Sequence, residues 1–185
     1  MISKPENCTL KIGDKLPYFS LKTTEGKILS SKDLGDLNGL CVIFTCNHCP
    51  YAQAYEARIK ALSEAFLNNG IKFLAISAND ADSYPQDSFE NMVLKKEEAK
   101  WHFPYLHDET QSTARAFDAA CTPESYLFDK DLNLYYHGRI DDNHQDQSAI
   151  TDHSLSDAIN SLLEGLPPKQ KLTPAIGCSI KWKSA

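Results

Sequence analysis

The stretch LCVIFTCNHCPYAQAYEARI, residues 40–59, decides how the chain folds. Leu40 to Thr45 are nearly all apolar and β-branched or aromatic, which predicts a strand covered on both faces. The period then changes. Tyr51, Tyr55, Ile59, Leu62 and Phe66 recur at helical spacing, Pro50 suits a first turn and Asn69-Gly70 offers a stop, so a helix of about five turns follows. IKFLAIS (71–77) is the next buried strand, which makes residues 40–77 a βαβ unit. Cys46 and Cys49 fall at the carboxyl end of its first strand, where open α/β sheets collect their chemistry.

Working outward, YFSLKTTEGKILS (18–30) reads as a hairpin turning at Glu25-Gly26. Beyond the βαβ unit, residues 85–101 have acids early, lysines late and Phe89, Met92 and Val93 inside, as a helix would. FPYLHD is a short strand candidate, TQSTARAFDAA a further helix, and ESYLFD and LYYHGRI two strands joined by a turn over Lys130-Asp131. SLSDAINSLLEG closes the pattern as a capped amphipathic helix ending at Gly165. The expected architecture is one α/β domain over 1–185, a central mixed sheet flanked by helices. Residues 1–11 form an N-terminal extension, and 165–185 an irregular tail pinned by Ile176, Ile180 and Trp182.

A chain of 185 residues buries enough core to fold without staples. Its 19 basic against 25 acidic residues, a formal charge of -6 with no basic cluster, is the wrong sign for nucleic acid. No apolar run is long enough to cross a bilayer, and the N-terminus lacks an apolar signal core, so the expectation is a cytoplasmic protein with no membrane partner. Six irregularly spaced cysteines do not form a secreted-type framework, and a reducing compartment favours catalytic or metal work for a close pair.

For Cys46 and Cys49 the physics favours a working dithiol. A thiolate is the nucleophile, and a helix N-terminus lowers a thiol pKa from about 8.5 to between roughly 3.5 and 7.5. Cys46 is expected to attack and Cys49, one turn on, to resolve, with the imidazole of His48 tuning the pair. The rival readings are a cysteine packed under the helix and zinc. A structural zinc site wants four ligands, and neither a second CxxC nor a matching histidine pair exists among His102, His107, His137, His144 and His153. No metal or other cofactor is therefore expected.

With FTCNHCPYAQAYEARI, AISAND, FPYLHDETQ, CTPESYLFD, YHGRIDD and the late GCSIKW in order, the chain resembles the thioredoxin superfamily. More narrowly, it resembles peroxiredoxin-like proteins of the alkyl hydroperoxide reductase/thiol-specific antioxidant group that carry a CxxC, over roughly residues 12 to 182. The resemblance implies a thioredoxin-like fold with a helix and strand inserted over Asp80 to Ala120. It also implies a cis bond at Thr122-Pro123 that offers the Thr122 backbone to an incoming chain. Two departures stand out. The proline and hydroxyl residue that peroxide-reducing members place seven and three residues before the reactive cysteine are Gly39 and Ile43 ahead of Cys46, and Val42 and Cys46 ahead of Cys49; no arginine directly precedes YLFD.

Thiol-disulfide exchange is thus the expected reaction, with protein or small-molecule disulfides and a thiol electron donor as partners. Hydroperoxide reduction is the first alternative. A copper-binding or metal-transfer module, as in the Sco type, is the second, with His137 or His144 supplying the imidazole; a redox sensor reporting through the tail is the third. Cys178, and less so Cys121, is a candidate third redox thiol. Cys8 and Cys41 read as structural. RIDDNHQD reads as a solvated turn rather than a cation site, and Trp101 and Trp182 are expected to pack.

Overall fold

The computed structural model describes residues 10–184; the expected N-terminal extension and Cys8 lie largely or wholly outside that range. Strands β1 (Ser20–Thr23), β2 (Ile28–Ser30), β3 (Gly39–Phe44), β4 (Ile71–Ser77), β5 (Tyr105–His107), β7 (Glu124–Asp129) and β8 (Leu134–Gly138) form one mixed sheet of seven strands in the order β2-β1-β5-β4-β3-β7-β8. A second sheet pairs only β6 (Cys121–Thr122) with β9 (Cys178–Ser179). Helices α1 (Pro50–Ala65), α2 (Phe89–Ala99), α3 (Ser112–Ala116) and α4 (Ser154–Leu163) cover the large sheet.

The central strand explains the layering. All six residues of β3 are buried, and they alternate. Leu40, Val42 and Phe44 join Leu74, Ile76, Tyr126 and Phe128 on one face, roofed by Phe117 and Ile180. Cys41 and Ile43 join Phe73, Ala75 and Leu127 on the other, under Ile59 of α1, Met92 of α2 and Ile159 of α4. β4 runs parallel to β3 and β7 antiparallel to it, so the βαβ unit is present with its register running from Gly39↔Ile71 to Phe44↔Ile76. The hairpin turns at Gly26, where φ of 79° suits glycine. α1 stops at Ala65, and a 3-10 turn over Leu67–Asn69 carries the chain to Gly70 at φ 75°.

Four expectations are corrected. The helix expected over 85–101 is split: a 3-10 turn (Pro85–Asp87) precedes α2, because Ser88 takes the N-cap and accepts a hydrogen bond from the Asn91 N–H at 3.3 Å. α3 has only five residues, ended at Phe117 before Asp118 turns left-handed. α4 is N-capped by His153 with no side-chain cap, since the Ser154 hydroxyl instead donates to Asp152 (2.9 Å). The tail is not wholly irregular. It ends in β9 and is pinned by Ile180 (3 % exposed), whereas Ile176 is half exposed and Trp182 lies outside the core with the Arg115 guanidinium 4.5 Å from its ring.

Candidate active site

Thr45 extends the β3 ladder by donating its N–H to Ile76 O (2.9 Å), and the next four residues turn the chain into α1. Cys49 is the N-cap and Pro50 the first helical residue. Opposite this turn stands Thr122, whose bond to Pro123 is cis as the resemblance implied. The Thr122 hydroxyl lies 3.2 Å from Cys46 Sγ, and Cys49 Sγ lies 3.4 Å from Thr122 O.

A residue the sequence reading missed completes the turn. Asp87, fully buried at the end of the 3-10 turn, accepts through Oδ1 from the N–H groups of Asn47 (2.7 Å) and His48 (3.3 Å). Its Oδ2 accepts from Asn79 Nδ2 (2.7 Å) and pairs with His48 Nδ1 (2.6 Å). Asn47 is fixed in turn by the Tyr105 hydroxyl, which donates to its Oδ1 (3.0 Å). In sequence Asp87 looks like any acid near a helix start.

The two sulfurs lie in one buried cluster and titrate as a pair. The Cys46 thiol is pushed far up by its bond to Cys49, then by burial and by the charge of Asp87, with Thr122 opposing. The Cys49 thiol is held down at about 4, first by the hydrogen bond from Cys46, against burial, and further by Cys178 and by the N–H groups of Ala52 and Cys178. The negative charge of the reduced pair therefore rests on Cys49. The sequence reading expects the ionising field at Cys46; in the structure the two thiols shift in opposite directions, first through the interaction between the two sulfurs and only then through burial and Asp87.

The other expected site residues sort clearly. His48 is beside Cys46, stacked on Tyr84 (centroids 5.3 Å apart), with its Nδ1 committed to Asp87. Cys178 packs against Cys46 and Cys49. Cys121 precedes Thr122 in β6, and adjacent strand residues point to opposite faces, so its side chain leaves the face that carries Cys46. Cys41 is sealed in the core, where burial pushes its thiol well up. The Thr122 edge, expected to await an incoming chain, is paired with β9 of the same molecule: Thr122 opposite Cys178, Cys121 opposite Ser179.

Neither histidine considered for copper joins the pair. His137 Nε2 is 2.6 Å from Glu124 Oε1 in the interior, and His144 packs on Tyr51. The RIDDNHQD loop is not a solvated turn throughout. Asp141, 5 % exposed, receives Arg58 Nη1 (2.9 Å) and the Tyr55 hydroxyl (2.9 Å). Among the described residues, ligand atoms of Cys46, His48 and Asp87 lie within 4.8 Å of one another, but both Asp87 oxygens already accept the hydrogen bonds above.

The AhpC/TSA family model matches residues 12–137. A 1-Cys peroxiredoxin of Dictyostelium discoideum is 29% identical over 107 residues, 57% of this chain and 43% of that protein. The chain spans less than half the length of the curated relatives it matches. Among solved structures, an uncharacterized conserved protein from Geobacillus kaustophilus is 40% identical with TM-score 0.90, covering 96% of this chain and 95% of that one. The thioredoxin domain of a thiol-disulfide oxidoreductase from Bacteroides vulgatus shares 17% identity at TM-score 0.60, covering 70% and 89%, a likeness of fold alone.

Proposed function

The chain belongs to the AhpC/TSA family, and from that membership and the geometry of its dithiol we propose that it is a thiol-disulfide oxidoreductase. The observation that carries the reading is a pair of sulfurs at the start of α1 facing Thr122, Cys46 Sγ 3.2 Å from its hydroxyl and Cys49 Sγ 3.4 Å from its carbonyl oxygen. Cys46 is the less buried residue, 3 % exposed against 0 % for Cys49. It attacks a substrate disulfide while its proton passes to the Cys49 thiolate; the Thr122 hydroxyl supports the charge that develops on Cys46. One substrate sulfur leaves as thiolate and the other stays bonded to Cys46. Cys49 then gives up its proton and attacks Cys46 Sγ, closing the Cys46–Cys49 disulfide and releasing the second thiolate. A thiol donor reverses the cycle. Protein or small-molecule disulfides and a cytoplasmic setting belong to this reading; among the described residues no helix is long and apolar enough to cross a membrane.

The test is redox titration against glutathione with mass-resolved thiol labelling. The expected result is a single two-electron transition linking Cys46 to Cys49. Cys46→Ser should abolish reduction of a model disulfide, and Cys49→Ser should trap mixed disulfides on Cys46. Full activity in both variants would remove the mechanism.

Hydroperoxide reduction fits the family less well in this chain. Its arginines are Arg58, Arg115 and Arg139; they are engaged with Asp141, Trp182 and Asp152 respectively, and none of these contacts involves Cys46. Peroxide consumption no faster than that of a free thiol is expected. For the metal reading, an ion at Cys46 and His48 would have to displace the hydrogen bonds of Asp87. Metal retained by protein purified without added metal, and lost on replacing both cysteines, would favour it.

A further inference from the structure

The tail is held along its whole path across the molecule. His137 N–H donates to Lys171 O (3.0 Å), Thr173 N–H to His137 O (3.1 Å) and Ile180 N–H to Ala120 O (3.1 Å). Lys181 N–H donates to Asn79 Oδ1 (2.9 Å), and the Nδ2 of that asparagine binds Asp87, so one side chain ties the tail to the carboxylate of the dithiol turn. Before β9, Gly177 crosses so close to Thr122 that a Cβ there would lie 2.2 Å from the Thr122 carbonyl oxygen. Only glycine passes at that distance.

Sheet edges accept extended polypeptides by strand addition. The Thr122 edge has already accepted one, antiparallel, and the residue opposite Thr122 carries a thiol. The Cys178 side chain packs directly against the Cys46 and Cys49 pair. Of the three clustered thiols, Cys46 and Cys49 are buried and Cys178 is partly exposed.

We propose that β9 is an internal exchange partner: Cys178 takes over the disulfide of the oxidised Cys46–Cys49 pair and presents it at the surface to a thiol reductant. The inference rests on the dithiol reading above. Cys178, as thiolate, attacks Cys49 Sγ; the Cys46–Cys49 bond breaks, a Cys49–Cys178 bond forms, and Cys46 leaves as thiolate and takes up the proton that Cys178 released to solvent. This step is an isomerisation with no net redox change. A reductant thiol then attacks the partly exposed Cys178, freeing Cys49, and a second thiol resolves that mixed disulfide. In sum two thiols are oxidised to one external disulfide, and the protein is left as its three thiols. The electrostatics agree with this order: in the reduced protein Cys178 is pushed up to about 11, by burial first and then by its hydrogen bond to Cys49 and the Cys49 charge. Oxidation removes that charge when Cys178 must ionise.

The decisive experiment is disulfide mapping of Cys46→Ser after oxidation with diamide, beside the wild type. A Cys49–Cys178 link in the variant is expected. A variant whose Cys49 is oxidised but never linked to Cys178, while the wild type closes Cys46–Cys49, overturns this inference alone; a wild type that closes no such bond overturns the dithiol reading. Kinetics give a second arm that does not depend on the folding of that variant. Cys178→Ser should slow reduction of the oxidised protein by a bulky protein dithiol about tenfold, for want of an accessible sulfur, and leave reduction by a small phosphine unchanged. Equal rates for the wild type and Cys178→Ser with both reductants would also overturn it.

Discussion

Asp87 puts a buried carboxylate against a turn that carries two thiols, and its charge adds to the bond with Cys49 and to burial in raising the Cys46 thiol. Asp87→Asn keeps the shape and removes the charge, so the Cys46 thiol should ionise at lower pH, read as a downward shift of the upper step in absorbance at the thiolate band. Because Cys49 is held near 4 and Cys46 far up, oxidation in the neutral range releases one proton per two electrons. The reduction potential should then fall by about 30 mV per pH unit, half the slope of a two-proton couple. The stability of the reduced protein follows with opposite signs at the two sulfurs. The depressed Cys49 stabilises fully above the ordinary thiol value of about 8.5, and that contribution is lost as pH falls through about 4. The raised Cys46 loses its contribution as pH climbs past about 8.5. Cys46 and Cys49 were legible because their spacing is local. Asp87 was not: it lies some forty residues from the turn it serves, and only the 3-10 turn before α2 aims it there.

At the scale of elements, the βαβ unit was legible because burial on both faces of β3 leaves a continuous apolar run, and period alone separates it from α1. Leu40→Ala in that strand should cost about 2–5 kcal/mol in urea unfolding with the slope unchanged. The split before α2 was hidden because a serine N-cap inside an acidic-to-basic run looks like ordinary helix. The loop after β8 was also misread, since nothing local shows that Asp141 meets Arg58 of α1. Asp141→Ala strands a guanidinium that is 9 % exposed and should cost about 3–5 kcal/mol, whereas Asp142→Ala, on an exposed hydrogen bond to Thr151, should cost far less. Comparing the two variants in denaturant checks the assignment.

Across the whole molecule the tail joins what the elements leave apart. It passes the outer side of β8, then the dithiol, then the start of α3. Its prolines and charges made it look unstructured, and its anchor, Ile180, is a single residue whose partners Phe117 and Tyr126 are distant in sequence. Ile180→Ala should cost about 2–4 kcal/mol and speed alkylation of Cys46 by iodoacetamide, because packing and cover are lost together. The crossing at β8 carries a separate consequence. Leu172 forms a parallel bridge with His137 on the outermost strand, at the one end of the seven-stranded sheet where a five-residue ladder would otherwise stand bare; the opposite end closes with only the three residues of β2. A protease that clipped the chain ahead of Lys171 would uncover a ready template for a neighbouring copy. The clipped protein, once its tail has been removed, should pair edge to edge into oligomers visible by light scattering, whereas the intact chain should not.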